Sequence, residues 1–177
     1  MRASVATPHL LSDEAAELCE LLREEEKHYR RLRRLAWRQE RYLKRQDVPR
    51  LEENAREWSR HLPQANAARE RREARCAELA AQLGLAADHV RARDLLDYAA
   101  RGDKDRVREA LHGVTRTAGD LYRQNGLNVL LSRFCLELLG QEAAIFKSCV
   151  LSDPVGRYAG DGQRATSSGT SVMERQA

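Results

Sequence analysis

The chain has no glycine before Gly84 and no proline between Pro63 and Pro154. The residues that most often interrupt regular structure are therefore absent from long stretches. Those stretches are richer in Ala, Leu, Glu, Arg and Gln than in β-branched residues, so helix is the one regular structure their propensities support. Aromatic residues are scarce, at 5%, whereas charged residues reach 33%. That balance favours long solvated helices over a thick globular core. No apolar run approaches the ~18 residues of a membrane span, and residues 1–11 lack the charged and apolar regions of a signal peptide. A cytoplasmic protein with no membrane insertion is the expectation. The cysteines Cys19, Cys76, Cys135 and Cys149 are far apart and form no C-x-x-C. This speaks against a disulfide framework and a structural zinc site, and leaves them as small apolar residues on helices.

Several chemistries lose their footing on the same grounds. None of His9, His28, His61, His89 and His112 lies three or four residues from another His or a Cys, so no helical metal pair forms. No Gly-rich loop follows a strand and no Gly-x-Ser-x-Gly turn occurs, so neither a phosphate nor a nucleophile has its usual cradle. No enzyme activity, no cofactor and no metal are expected. Lys and Arg outnumber Asp and Glu by 31 to 27, a net charge of +4. This is too small an excess to argue for nucleic acid. The basic run from Lys27 to Arg45 lies at the C-terminal end of a helix whose first turns carry Asp13, Glu14 and Glu17, as the helix dipole favours.

What is present is a seam pattern. The first helix is predicted to start at Ser12 or Asp13 and to reach Gln46. Steps of four and three residues give Leu11, Ala15, Leu18, Leu22, Glu25, Tyr29, Leu32, Ala36, Gln39 and Leu43, a coiled-coil-like stripe broken only by Glu25 and Gln39. After a turn at Asp47-Val48-Pro49 the same count gives Leu51, Ala55, Trp58, Leu62, Ala65, Arg69, Arg72, Cys76, Leu79 and Leu83. Here Arg69 and Arg72 are the breaks, Pro63 should kink or break the helix at Leu62, and Gly84 with Leu85 should cap it. The short turn makes the two helices antiparallel neighbours. Residue numbers summing to about 95 should then face each other, so Glu25 is predicted opposite Arg69 and its neighbours.

The predicted organisation is therefore an N-terminal tail (1–11) and an all-α domain (12–153). The domain contains a long antiparallel hairpin (12–83), a connection (84–102) and a third long helix (103–149). A disordered tail (154–177) follows. The third helix opens with the stripe Val107, Leu111, Val114, Ala118, Leu121. Beyond Gly126 its apolar residues, Leu127 to Phe146, cover more than one face, and the second face must be buried by something. Gln124, Asn125 and Asn128 interrupt it, either as polar seam positions that select register or as groups that meet a partner.

Arg123-Gln124-Asn125-Gly126-Leu127 within this helix, followed by Arg157-Tyr158-Ala159-Gly160-Asp161-Gly162-Gln163, is similar to the C-terminal signature of the FlgN family of flagellar export chaperones. Tyr122 stands where the family usually has Asn, and Ala159 where it has Gly. The resemblance implies a cytoplasmic chaperone that binds the C-terminal helical segments of hook-associated proteins (FlgK and FlgL). It would keep them unpolymerised and deliver them to the type III export gate. Cargo would meet Leu121, Gln124, Asn125, Leu127, Asn128, Leu131, Phe134, Leu138 and Ile145, and Tyr158 would dock on the cytoplasmic domain of the gate protein FlhA. The competing readings are a coiled-coil adaptor unrelated to flagella, which has no use for Tyr158, and a basic helical nucleic-acid binder, whose affinity would fall steeply with salt.

Overall fold

A computed structural model describes residues 9–86 and 90–151, with backbone only at 149–151. Asp88, a possible cap in the connection, and Tyr158 lie outside the described residues. Among the described residues the fold is all-α: helix α1 (Ser12–Lys44), helix α2 (Val48–Gln82), a single 3-10 turn (Leu96–Tyr98) and helix α3 (Arg101–Leu151). The chain divides into two compact units, residues 1–132 and residues 133–177.

In the first unit, the end signals work largely as local chemistry dictates. Leu11 takes the cap position of α1, one residue ahead of the predicted polar caps. A leucine side chain accepts no hydrogen bond, so satisfaction comes from the reverse direction, with Glu14 Oε2 accepting from the Leu11 N–H at 2.9 Å. Asp47 caps α2 by accepting from the Arg50 N–H at 3.3 Å, with Pro49 in the first turn. The intervening turn holds Gln46 at φ 52°. At the other end of α2, Gly84 takes φ 70°. The Leu85 N–H then bonds the Ala80 carbonyl at 2.9 Å and the Gly84 N–H bonds Ala81 at 3.1 Å, which is the Schellman arrangement. Helix α2 runs unbroken through Pro63, which excludes the predicted break there. Both Leu62 and Pro63 face solvent, so the Ser59 carbonyl that Pro63 deprives of a donor can be hydrated.

The α1 seam is buried largely as counted, at Ala15, Leu18, Leu22, Glu25, Leu32, Ala36 and Leu43. Cys19 and Leu35 are buried as well, because α1 contacts a second helix besides α2. The α2 seam departs from the count in its first half. Asn54 and Ala68 are buried where Ala55 and Arg69 were predicted, and Leu62 is exposed. A helix at 3.6 residues per turn drifts by ~20° per heptad against a strict 3.5 repeat, and over several heptads the contact face rotates onto the neighbouring residue.

Residues 101–132 of α3 pack on this hairpin. Thr117 reaches Glu26, Asp120 reaches Arg33, Gln124 reaches Glu40, and Asn128 reaches Ala36 and Gln39. Partners advance together along both helices, so α3 runs parallel to α1 and the unit is an up-down-up three-helix bundle. One apolar cluster joins Leu18, Cys19 and Leu22 to Cys76, Leu79 and Leu83, and to Leu95, Val107 and Val114. Leu10 closes its end, its N–H bonded to the Tyr98 carbonyl at 2.8 Å. A second cluster gathers Leu32, Leu35, Ala36, Ala65 and Leu121.

Candidate functional site

Between the two clusters lies a polar layer. Glu25 is only 2% exposed. Its Oε2 accepts from Arg72 Nε at 2.6 Å, and its Oε1 accepts from the Tyr29 hydroxyl at 2.9 Å. The predicted opposition of Glu25 and Arg69 is thereby corrected by three residues. Arg69 faces outward and pairs with Glu73 of its own helix at 3.6 Å, while Arg72, one turn on, meets Glu25. Complementary breaks in the two seams do meet, and Glu24 with Arg71 (2.7 Å) and Glu17 with Arg75 (2.8 Å) extend the pairing along the rim. Glu26 turns the other way, to Arg30 and Thr117. Burial, reinforced by the Glu25 charge and hydrogen bond, pushes the Tyr29 phenol up to about 12. At Arg72 burial acts to lower the pKa, but the hydrogen bond and charge of Glu25 outweigh it and the net shift is upward.

A second set of polar contacts docks α3 on α1. Gln124 is 7% and Asn128 3% exposed. Asn128 Nδ2 donates to the Ala36 carbonyl at 2.8 Å and to Gln39 Oε1 at 3.0 Å; Gln124 Nε2 donates to Glu40 at 2.7 Å and to Asn128 Oδ1 at 3.2 Å. The hydrogen bonds from Lys44 and then Gln124 hold the Glu40 carboxyl below its usual range. Arg33 pairs with Asp120 at 2.7 Å and lies over the Trp37 ring at 4.9 Å. Gly113 keeps room for Glu26, since a Cβ there would lie 2.8 Å from Oε2.

The residues put forward for cargo binding thus fall into distinct environments. Leu121, Gln124 and Asn128 are engaged inside the first unit: Leu121 joins the second apolar cluster, and the two amides form the polar seam. Asn125 and Leu131 are half-buried, and Leu127 is exposed. The sequence carries one signal for the α3 seam. Gln39 broke the α1 stripe, and its partner is Asn128, the polar break in α3.

The second unit is described by its helical residues 133–148. Phe134, Leu138 and Ile145 lie at i, i+4 and i+11, one row on the helix surface, and Cys135, Leu139 and Phe146 form the same row advanced by one residue, about 100° round. Phe134 is 57%, Leu139 51%, Ile145 63% and Phe146 71% exposed, and Leu138 is half-buried. Leu136 is exposed as well. The two rows form an apolar band that is interrupted at Gln141 and Glu142, between Leu138 with Leu139 and Ile145 with Phe146.

Among the described residues no group of three or more His, Cys, Asp or Glu side chains could hold a metal ion, and no helix is long and apolar enough to cross a membrane. Burial raises the Cys19 and Cys76 thiols, which holds both in the unreactive protonated form.

No curated protein and no solved structure matched the chain. A family model described as FlgN protein matches residues 14–166, which takes in α2, α3 and all of α1 but its first two residues. The chain therefore belongs to the FlgN family, whose members are flagellar export chaperones that bind hook-associated proteins.

Proposed function

We propose that the helical segment of the second unit is the cargo surface. On this reading, the protein holds the C-terminal helical segments of hook-associated proteins of the FlgK and FlgL kind. The observation that carries the proposal is the double apolar row of Phe134, Leu138 and Ile145 with Cys135, Leu139 and Phe146 on a regular helix, with Phe134, Leu139, Ile145 and Phe146 exposed and Leu138 and Cys135 half-buried. A partner helix laid along such a band buries its own apolar stripe, as helix-in-groove recognition does, and that stripe is then withheld from polymerisation. Ordering of the cargo segment on binding keeps the affinity moderate, which suits a cargo that must be released. The first unit serves as the scaffold, and Leu121, Gln124 and Asn128 belong to it.

Delivery to the export gate is assigned to Tyr158, which the family match includes. It is an isolated aromatic in a glycine-rich, polar sequence, and a side chain of large area and few rotors makes a good anchor for a transient interface. Replacing Phe134 and Ile145 with serine should abolish co-purification with hook-associated proteins while Tyr158→Ala leaves it intact. Calorimetry with the FlhA cytoplasmic domain should show the converse. Retention of cargo by the Phe134→Ser/Ile145→Ser variant at wild-type levels would overturn the cargo assignment.

A further inference from the structure

The apolar band of the second unit contains a single charge. Glu142 has Leu138 and Leu139 one turn before it and Ile145 and Phe146 one turn after, so all of its helical neighbours are large and apolar. The other charges of the segment lie elsewhere on the helix. Glu137 has Arg133 one turn behind it, outside the band, and Lys147 is five residues from Glu142, too far round the helix to pair with it. Among the described residues Glu142 forms no ion pair, and it is exposed. A carboxylate held in the middle of an apolar surface has a definite consequence for anything that covers that surface. Burying it without a partner is costly, and a cation with satisfied hydrogen bonds offsets much of that cost.

Resting on the reading of this band as the cargo surface, we infer that its partner is an amphipathic helix carrying an Arg or Lys among its apolar residues, positioned to meet Glu142. Charge complementarity at that point discriminates between helices of equal hydrophobicity. It accepts those with a central cation and rejects those with a central apolar or acidic residue. The same carboxylate opposes pairing of two copies of this chain through the band, because an antiparallel self-pair centred there would set Glu142 against Glu142.

The test uses the full chain and three designed amphipathic helical peptides with identical apolar faces and Lys, Leu or Glu at the central position. Wild type should bind the Lys peptide at least about tenfold more tightly than the Glu peptide, with a margin that narrows as salt rises. Glu142→Lys should invert the order. Because Glu142 is exposed, the variant should keep its helicity, and circular dichroism checks this. Equal affinity for the three peptides, no binding of the Lys peptide, or an unchanged preference in Glu142→Lys would overturn the inference. Its failure is separable from failure of the cargo reading. If hook-associated protein is lost on Phe134→Ser/Ile145→Ser but bound equally by wild type and Glu142→Lys, the surface stands and the charge assignment falls. If the Lys peptide is selected but hook-associated protein does not bind, the site chemistry stands and the cargo is of another kind.

Discussion

Residues 12–132 and residues 133–148 are both leucine-bearing helix, and they dispose of their apolar side chains in opposite ways. In the first unit Leu18, Leu22, Leu35 and Leu79 are no more than 1% exposed, and the polar residues that interrupt their stripes find each other. In the second, Phe134, Leu139, Ile145 and Phe146 are each more than half exposed. The difference lies in matching. Buried interruptions in the bundle have complements on a facing helix, Glu25 with Arg72 and Asn128 with Gln39. The band around Glu142 has no such complement among the described residues. A helix whose apolar faces exceed what the described residues of its unit cover has a face still to be buried.

The comparison breaks most sharply at the polar layer. Arg72→Ala leaves Glu25 buried with no cation, and removal of one partner of a buried pair costs about 3 kcal/mol or more. Arg69→Ala, at the position the heptad count favoured, removes only an exposed pair with Glu73 and should cost under about 1 kcal/mol. Denaturant midpoints of the two variants order them directly. Equal losses would mean that Arg72 does not hold the layer.

Next in size is the α3 seam. Asn128→Ala removes two hydrogen bonds to α1 and leaves the Gln39 amide without its donor. About 1 to 3 kcal/mol should be lost, the range for stripping a buried polar group of its partner. Asn125→Ala, one residue-step round the helix and half-buried, should change stability by no more than about 0.5 kcal/mol. Thermal melts of the pair decide whether the amides are structural.

The hairpin, the connection and the third helix were legible because glycine and proline punctuate the chain so sparingly. Gly84 and Leu85 form the cap they promised. The pairing of Glu25 was legible in kind and missed in register. A strict heptad count does not follow the drift of a straight helix, so Arg72 and Asn54 carry contacts the count gave to Arg69 and Ala55. Gln124 and Asn128 were ambiguous for a different reason. A buried amide that fixes register and an amide that awaits a partner have the same sequence signature, and only the position of the α1 carbonyl at Ala36 separates them. The excess of apolar faces beyond Gly126 was legible outright, since periodicity alone shows that one helix carries two stripes.

A smaller effect follows from the phenol of the polar layer. Unfolded, Tyr29 loses its proton near the ordinary value of 10.0, whereas in the bundle it holds it to about 12. Between those values the folded state binds more protons than the unfolded one, so stability falls as pH rises through the window and is fully present below it. Urea midpoints compared at about pH 9 and about pH 11 should therefore drop further for wild type than for Tyr29→Phe, which has no proton to retain. Identical drops would place the phenol outside the layer.

The smallest expected effect is the one that separates the two regions. Phe146→Ser removes an aromatic ring, a change that costs several kcal/mol where the ring is packed in a core. Phe146 is 71% exposed, so little area leaves water when its helix forms and little is lost when the ring is removed. The expected change in stability is within about 0.5 kcal/mol. Leu22→Ser, in the fully buried cluster, removes a smaller side chain and should cost several times more, because it opens a cavity and leaves a hydroxyl without a partner. Measured together by denaturant titration of the full chain, the two substitutions weigh residue size against environment. A loss at Phe146 comparable to that at Leu22 would show that the ring is already covered within this chain, and the band could not then be offered to cargo.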